Sequence, residues 1–427
     1  MENYTVILSL LAVIILISAV AEKINLSSPI LLICSGLCIG FIPWLPSVEI
    51  NDEIIFLIFL PPLLYHAAFN ISFQGFRQHI NVIGSLAIGL VFLTAGAIGI
   101  LTYLIIPGMS WPVAFLLGAM LAATDAVSAI SITKNLGLSR NTIVILEGES
   151  LINDASALVL FQFAISAVIG ISVVWWQAIG TFIVLLIGGF LVGLVIGRLT
   201  RYILKFIHNN RMPVVSFMLI TPFVTYLVAE SLHCSGVIAV VVLVFVSKVN
   251  VQTLPKESQK QLKTILDTTV FTLDGLVFLL IGLALPIAIE SIDKHLIIPY
   301  IGYSFLVAIV AIVVRMIMIF VQRQRLQISY KNPFLQRTKM TIKSSVILSF
   351  TESLIIGWSG IRGIISLAMA ISIPQIIGTG KLFPMRDDLI FITIMVVLIT
   401  ILGQGLLLPF LVRNVKGQKE REIVTTE

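Results

Sequence analysis

Three of the 21 carboxylates of this sequence fall within one short stretch, Ile-Leu-Glu147-Gly-Glu149-Ser150-Leu-Ile-Asn153-Asp154-Ala-Ser156, inside an otherwise apolar region. On a helix, residues four apart share a face. Ser150 and Asp154 therefore point one way, while Glu149 and Asn153 point together about a third of a turn off. A carboxylate beside a hydroxyl suits a small hard cation, which sheds water only for oxygen ligands. Glu149, on the neighbouring face, suits the neutralisation of a buried cationic side chain such as Arg362. Other ionisable residues also interrupt apolar runs: Asp125 in Ala-Ala-Thr124-Asp125-Ala-Val-Ser, Arg362 in Gly357-Trp-Ser-Gly360-Ile-Arg362-Gly363, and Glu230, Asp274, Arg315 and Glu352 elsewhere. Each costs ~2.5 to 3.5 kcal/mol at the centre of a bilayer on insertion scales, so each is a candidate for an ion pathway or a pair.

The elements that hold these residues must be membrane spans. The chain has 427 residues, 58% hydrophobic and 11% charged, against about 45 to 50% and about 25% in soluble domains. That balance excludes a water-soluble fold. Apolar stretches between charged or Pro/Gly/Asn breaks give thirteen candidate spans, at 5–22, 29–46, 53–69, 82–106, 112–134, 142–170, 174–203, 213–230, 236–249, 266–290, 297–321, 346–373 and 387–412. The first opens with Met-Glu-Asn-Tyr instead of a basic segment and is read as a retained span, not a signal peptide. Residues 1–413 form a single transmembrane domain on this reading, with 113–170 and 346–412 contributing to its core, followed by a short tail at 414–427. Cys34, Cys38 and Cys234 make neither a disulfide framework nor a Cys-x-x-Cys metal motif.

Direction follows from the basic residues, because cytoplasmic connections hold the excess of Lys and Arg. Lys294, Lys381 and Arg386 fall in even-numbered connections, and Arg315 and Arg362 fall inside spans. All the rest of the 27 lie in odd-numbered connections or the tail. The N-terminus is thus expected outside and the C-terminus in the cytoplasm. Trp44, Trp111, Trp175 and Trp176 then sit at outer span ends, where indoles favour the headgroup level. The net charge of +6 is a topology signal, and no nucleic-acid partner is implied; the lipid bilayer is.

Two spans carry internal breaks by composition. Thr124-Asp125 interrupts the fifth, and Gly357, Gly360 and Gly363 interrupt the twelfth. Seven spans apart, they run in opposite directions, so six spans on either side of a linker span can form inverted repeats that each give one interrupted helix to a midplane site. Asp125 and Arg362 can each compensate one set of exposed helix ends. Glu147 and Glu230 read as residues near span ends, Arg315 as a partner for backbone or an acid, and His66, His208, His233 and His295 as local hydrogen-bonders. Two rival readings remain at this point. Gly357-x-Ser359-Gly360 resembles a hydrolase nucleophile motif but lacks a nearby base, and a cation-coupled carrier of an organic solute needs a larger pocket.

These residues resemble the monovalent cation:proton antiporter family, the branch of the sodium/proton exchangers and NhaP-type antiporters. The matching motifs are Pro61-Pro62-Leu-Leu-Tyr-His-Ala-Ala-Phe-Asn70, Ala-Thr124-Asp125, Glu147-Gly-Glu149-Ser150-Leu-Ile-Asn153-Asp154, Thr221-Pro-Phe-Val-Thr-Tyr-Leu-Val-Ala-Glu230 with Ser235-Gly-Val-Ile-Ala-Val, and Gly360-Ile-Arg362-Gly363-Ile-Ile-Ser366-Leu-Ala-Met-Ala. The resemblance implies a plasma-membrane homodimer of thirteen-span subunits, with no resident cofactor. It also implies electroneutral exchange of sodium or lithium, with potassium a further candidate, for protons. By position it makes Asp154 the shared cation and proton site, with Ser150 and the Thr124 backbone carbonyl as ligands. Glu149 and Arg362 become a stabilising pair, Asn153 a helix-positioning side chain and Asp125 a compensator of the broken helices. Ala126 stands where the family usually has proline, and His66 where some relatives have an acid.

Overall fold

The computed structural model describes residues 2–24, 27–42, 52–133, 138–170, 175–207, 211–251, 254–331, 348–377 and 380–413. The readings placed on Trp44, Lys134, His208, residues 332–347 and the tail, and on the side chains of Trp175 and Trp176, lie outside the described residues. The architecture is all-helical, with one isolated β-bridge, Ile376 to Leu382, among the described residues.

The elements run α1 (Glu2–Lys23), α2 (Ser28–Gly40), α3 (Asp52–Asn70), α4 (Phe73–Gly84), a π-helical segment (Ser85–Leu90), α5 (Val91–Ile105), α6 (Trp111–Met120), α7 (Ala126–Thr133) and α8 (Arg140–Val168). There follow α9 (Trp175–Ile207), α10 (Arg211–Ser231), α11 (Gly236–Val251), α12 (Lys256–Glu290), α13 (Ile297–Lys331), α14 (Phe350–Trp358), α15 (Ile364–Ile371), α16 (Arg386–Ile399) and a second π segment, Thr400–Gln404. Seven helices among the described residues are long and apolar enough to cross a membrane. Helix α12, at 35 residues, is ~50 Å long at 1.5 Å per residue, well beyond a ~30 Å hydrocarbon core. Its first turns are charged, so apolarity alone placed its start at 266. The fourth span likewise begins early, at Phe73, where the Ser72 hydroxyl accepts from Gly75 N at 3.0 Å. Gln74, Arg77, Gln78 and His79 had masked that start.

Lipid tails are as apolar as the helices, so close backbone packing does the holding. Helices α2 and α12 touch through glycine: a Cβ on Gly282 would lie 2.7 Å from Leu37 N and 2.8 Å from Gly36 Cα. Helix α9 meets α11 the same way, with a Cβ on Gly189 falling 2.6 Å from the Ser235 carbonyl.

Both expected interruptions are present. The fifth span is α6 and α7 with Leu121–Asp125 unwound between them, and the twelfth is α14 and α15 with Ser359–Gly363 unwound. Helix α14 starts on a capping box, Ser349 and Glu352 bonding reciprocally, and Ser139 Oγ, which caps α8, donates to Glu352 at 2.7 Å. Glu352 thus belongs to helix starts. At the other end of α14, Trp358 Nε1 donates to the Gln404 carbonyl at 3.2 Å while Gln404 Nε2 donates to the Trp358 carbonyl at 2.9 Å. The second π segment is thereby strapped to the broken helix.

Candidate functional site

The two unwound stretches meet. Asp125 N donates to the Ile361 carbonyl at 2.8 Å, joining one break to the other through backbone. Asp125 then begins α7: its carboxylate accepts from Val127 N (2.9 Å), Ser128 N (3.3 Å) and Ser128 Oγ. A negative group on free N–H donors at a helix start satisfies them and complements the helix dipole. Arg362 lies on the other break, 1% exposed. Its Nη1 donates to the Ala123 carbonyl at 3.3 Å, and its backbone N donates to Thr400 Oγ1 at 3.2 Å.

Glycine is required where the breaks cross. A Cβ on Gly363 would fall 2.6 Å from Asp125 Cβ and 2.8 Å from its carboxyl carbon. We expect Gly363→Ala to push Asp125 off the start of α7 and to lower the thermal stability of the purified protein; an unshifted melting curve would contradict the contact.

The partner of Glu149 differs from the expected one. Arg315 of α13, not Arg362, forms a bidentate pair with it: Nη2 donates to Oε2 at 2.8 Å and Nη1 to Oε1. Arg315 Nε also donates to the Ile356 carbonyl at 3.0 Å, near the C-terminal end of α14. Both side chains are sealed from solvent, at 2% and 1% exposed. Sequence offered two intramembrane arginines and no means of choosing, and the packing of α13 onto α14 decides. Gly360 leaves the room, since a Cβ there would lie 2.9 Å from Arg315 Nε.

Thr124 joins this network through its side chain, donating to Glu149 Oε1 at 3.3 Å and accepting from Asn153 Nδ2 at 2.6 Å. The Glu149 and Asn153 face of α8 is thus tied to the first break.

The neighbouring face of α8 looks into a cavity of about 60 Å³, whose lining includes Asp154, Ser150, Thr124, Asp125, Asp274 and Ser366. Asp154 is 7% exposed, and among the described residues no protein group donates a hydrogen bond to its carboxylate. Of the three cavity carboxylates, Asp125 is engaged in capping, while neither Asp154 nor Asp274 accepts a hydrogen bond from a described residue. A water needs about 10 to 15 Å³ of such space, so the volume suits an ion with a few waters. Drug-sized ligands occupy ~300 to 1,000 Å³.

Two further ionisable residues that the sequence marked bond outside the cavity lining. His66 bonds Asp267 at 2.8 Å, and Glu230 accepts from Gly236 N at 3.1 Å across the α10 to α11 turn. Ser359 Oγ donates to the Ile355 carbonyl at 2.7 Å, and no described histidine bonds to it, which leaves the hydrolase reading without a base. Two cavity residues had no assigned role from sequence. Asp274 was marked only by lying in an apolar run, and Ser366 by nothing beyond the motif around it.

A helical membrane bundle with two interrupted helices whose breaks meet beside a buried carboxylate that accepts no hydrogen bond from a described residue is the build of a secondary transporter. The family profile described as "Sodium/hydrogen exchanger, transmembrane" matches residues 8–414, and the chain belongs to this family. Among its relatives, the uncharacterized Na(+)/H(+) exchanger Rv2287 of Mycobacterium tuberculosis is 32% identical over 412 residues, covering 96% of this chain and 74% of that one. The Na(+)/H(+) antiporter NhaH of Halobacillus dabanensis is 30% identical over 427 residues, covering 96% of each. The fold matches the sodium proton antiporter MjNhaP1 of Methanocaldococcus jannaschii at a TM-score of 0.72 and 20% identity, covering 97% of this chain and 99% of that one. The chain is a multi-pass membrane protein, and its named relatives are antiporters rather than enzymes.

Proposed function

We propose that this protein exchanges one monovalent cation for one proton, electroneutrally and by alternating access, with Asp154 as the shared site and Ser150 and the Thr124 backbone carbonyl as further ligands. The observation that carries this reading is the position of Asp154: a buried carboxylate without a protein donor, facing an ion-sized cavity where the two helix breaks meet. If one carboxylate holds either a proton or a cation, coupling needs no further machinery, because only the loaded and neutralised site crosses the low-dielectric barrier. Glu149, Arg315, Thr124 and Asn153 hold the wall, and Asp125 and Arg362 compensate the opened helix ends. The small cavity speaks against an organic solute as cargo.

The accompanying topology is thirteen spans in two inverted six-helix repeats around a linker helix, with residues 1–413 as one domain and 113–170 and 346–412 in its core. The N-terminus lies outside, the C-terminus inside, and the protein works as a homodimer in the plasma membrane, serving pH and sodium balance. Sodium and lithium are the first cargo candidates. Potassium joins them because a Bacillus subtilis relative, 29% identical over 96% of this chain and 62% of its own length, is named a sodium, potassium, lithium and rubidium/H(+) antiporter.

The test is proton flux in proteoliposomes with a preset pH gradient, challenged in turn with sodium, lithium, potassium and choline. Saturable collapse of the gradient by a monovalent cation other than choline, without a membrane potential, is the expected result. No collapse by any of them across several pH values, in folded protein, would overturn the proposal.

A further inference from the structure

One side of the cavity has no function in the scheme above. Asp274, on α12, lines it together with the α8 residues, half-buried, and among the described residues no hydrogen bond is donated to its carboxylate. Ser366, on α15 three residues past the second break, lines the same cavity. It is 1% exposed, and its Oγ has no hydrogen-bond partner among the described residues. A buried hydroxyl without a partner carries an unrelieved desolvation penalty, which an ion or its water in the cavity would relieve. Two independent observations, a free carboxylate and an orphaned hydroxyl, thus face the same ion-sized space from elements other than α8.

We propose that Asp274 and Ser366 are oxygen ligands, direct or through water, of the same monovalent cation that Asp154 exchanges, and that they set its affinity and the order of preference among cations. This rests on the exchange reading of Asp154 and extends it: the cation is held by oxygens of α12 and α15 as well as those of α8. Hard cations bind through several oxygens, and cavity size with ligand number fixes which ion fits. In a one-for-one exchange only one carboxylate trades its proton. Asp274 therefore keeps one protonation state through the cycle, and its removal changes how tightly the cation is held without changing how many protons move per cation.

The experiment uses the full chain and two readouts: flux in proteoliposomes, and thermal stability of purified protein titrated with sodium or lithium chloride against choline chloride at constant ionic strength. The variants are Asp274→Asn, Asp274→Glu and Ser366→Ala. In wild type, sodium or lithium is expected to raise the melting temperature saturably. Asp274→Asn should raise the half-saturating concentration in both readouts by about tenfold, the size of loss common when a group supporting a bound ion is removed. The maximal rate should fall less than that, and the proton-to-cation ratio should stay unchanged. Asp274→Glu should recover part of the affinity, and Ser366→Ala should shift the ratio of lithium to sodium half-saturation.

Wild-type half-saturation and wild-type ion order in both Asp274→Asn and Ser366→Ala would overturn the inference. Should Asp274→Asn fail to fold, Ser366→Ala, which removes one oxygen and keeps the Cβ, decides alone. A wild type that exchanges nothing but is stabilised by cations overturns the antiport reading and leaves the ligand assignment to the melting curves. Active exchange with indistinguishable variants overturns only the ligand assignment.

Discussion

Asp154→Asn is expected to abolish cation-driven proton flux while the protein still inserts and purifies as folded material. Asparagine keeps the shape and both polar atoms but can neither release a proton nor carry the charge that draws a cation in. Since no described residue donates to the Asp154 carboxylate, the substitution breaks no internal hydrogen bond, and structure and function should separate cleanly. Proteoliposome flux beside a thermal unfolding curve checks both halves; retained exchange in this variant would end the assignment. In wild type, competition for one carboxylate has a second signature. On the acid side of its titration, the apparent KM for the cation should rise about tenfold per unit of pH as protons displace it, with the maximal rate little affected by that competition alone.

The second large effect is expected at the Glu149 and Arg315 pair. Both are sealed in the bundle, so removing either partner leaves an unpaired buried charge, a loss of roughly 3 to 5 kcal/mol. Glu149→Ala and Arg315→Ala should each lower the unfolding temperature sharply, and the double variant should cost far less than the two together. Arg315→Lys should not rescue, because a lysine cannot make two parallel bonds to Glu149 and a third to the Ile356 carbonyl. The coupling of Glu149 to Arg362, measured the same way, should be the smaller of the two. Equal coupling to both arginines would mean that the pairing is shared.

The parts of this structure that were legible in the sequence are those with a local cause. Thr124 and Asp125 inside an apolar run, and three glycines within seven residues, are features a continuous apolar helix would not carry, and both spans are indeed broken there. The four-residue spacing in Glu149-Ser150-x-x-Asn153-Asp154 likewise separates a structural face from a cavity face, and the structure ties one to Thr124 and opens the other to the cavity. What sequence could not supply depends on contacts between distant elements. Arg315 and Arg362 are equivalent as intramembrane arginines until α13 is packed on α14. Asp274 is one of several isolated acids until the fold brings it into the lining of the same cavity as Asp154. The start of α4 was obscured for a different reason: a helix that rises through the polar boundary of a bilayer is polar there, and hydropathy sees only the part within.

The strap between the last helix and the broken α14 bears on how the protein is made. Thr400 accepts the backbone N–H of Arg362, and Gln404 closes the end of α14 through Trp358, yet neither Thr400 nor Gln404 lines the cavity. During synthesis the first break and the whole of α8 leave the ribosome some 250 residues before these two do. The candidate site is therefore completed by residues made after all of its lining, and these line no part of the cavity. A chain cut short at Ile399 would retain every cavity-lining residue and still leave the second break without its buttress.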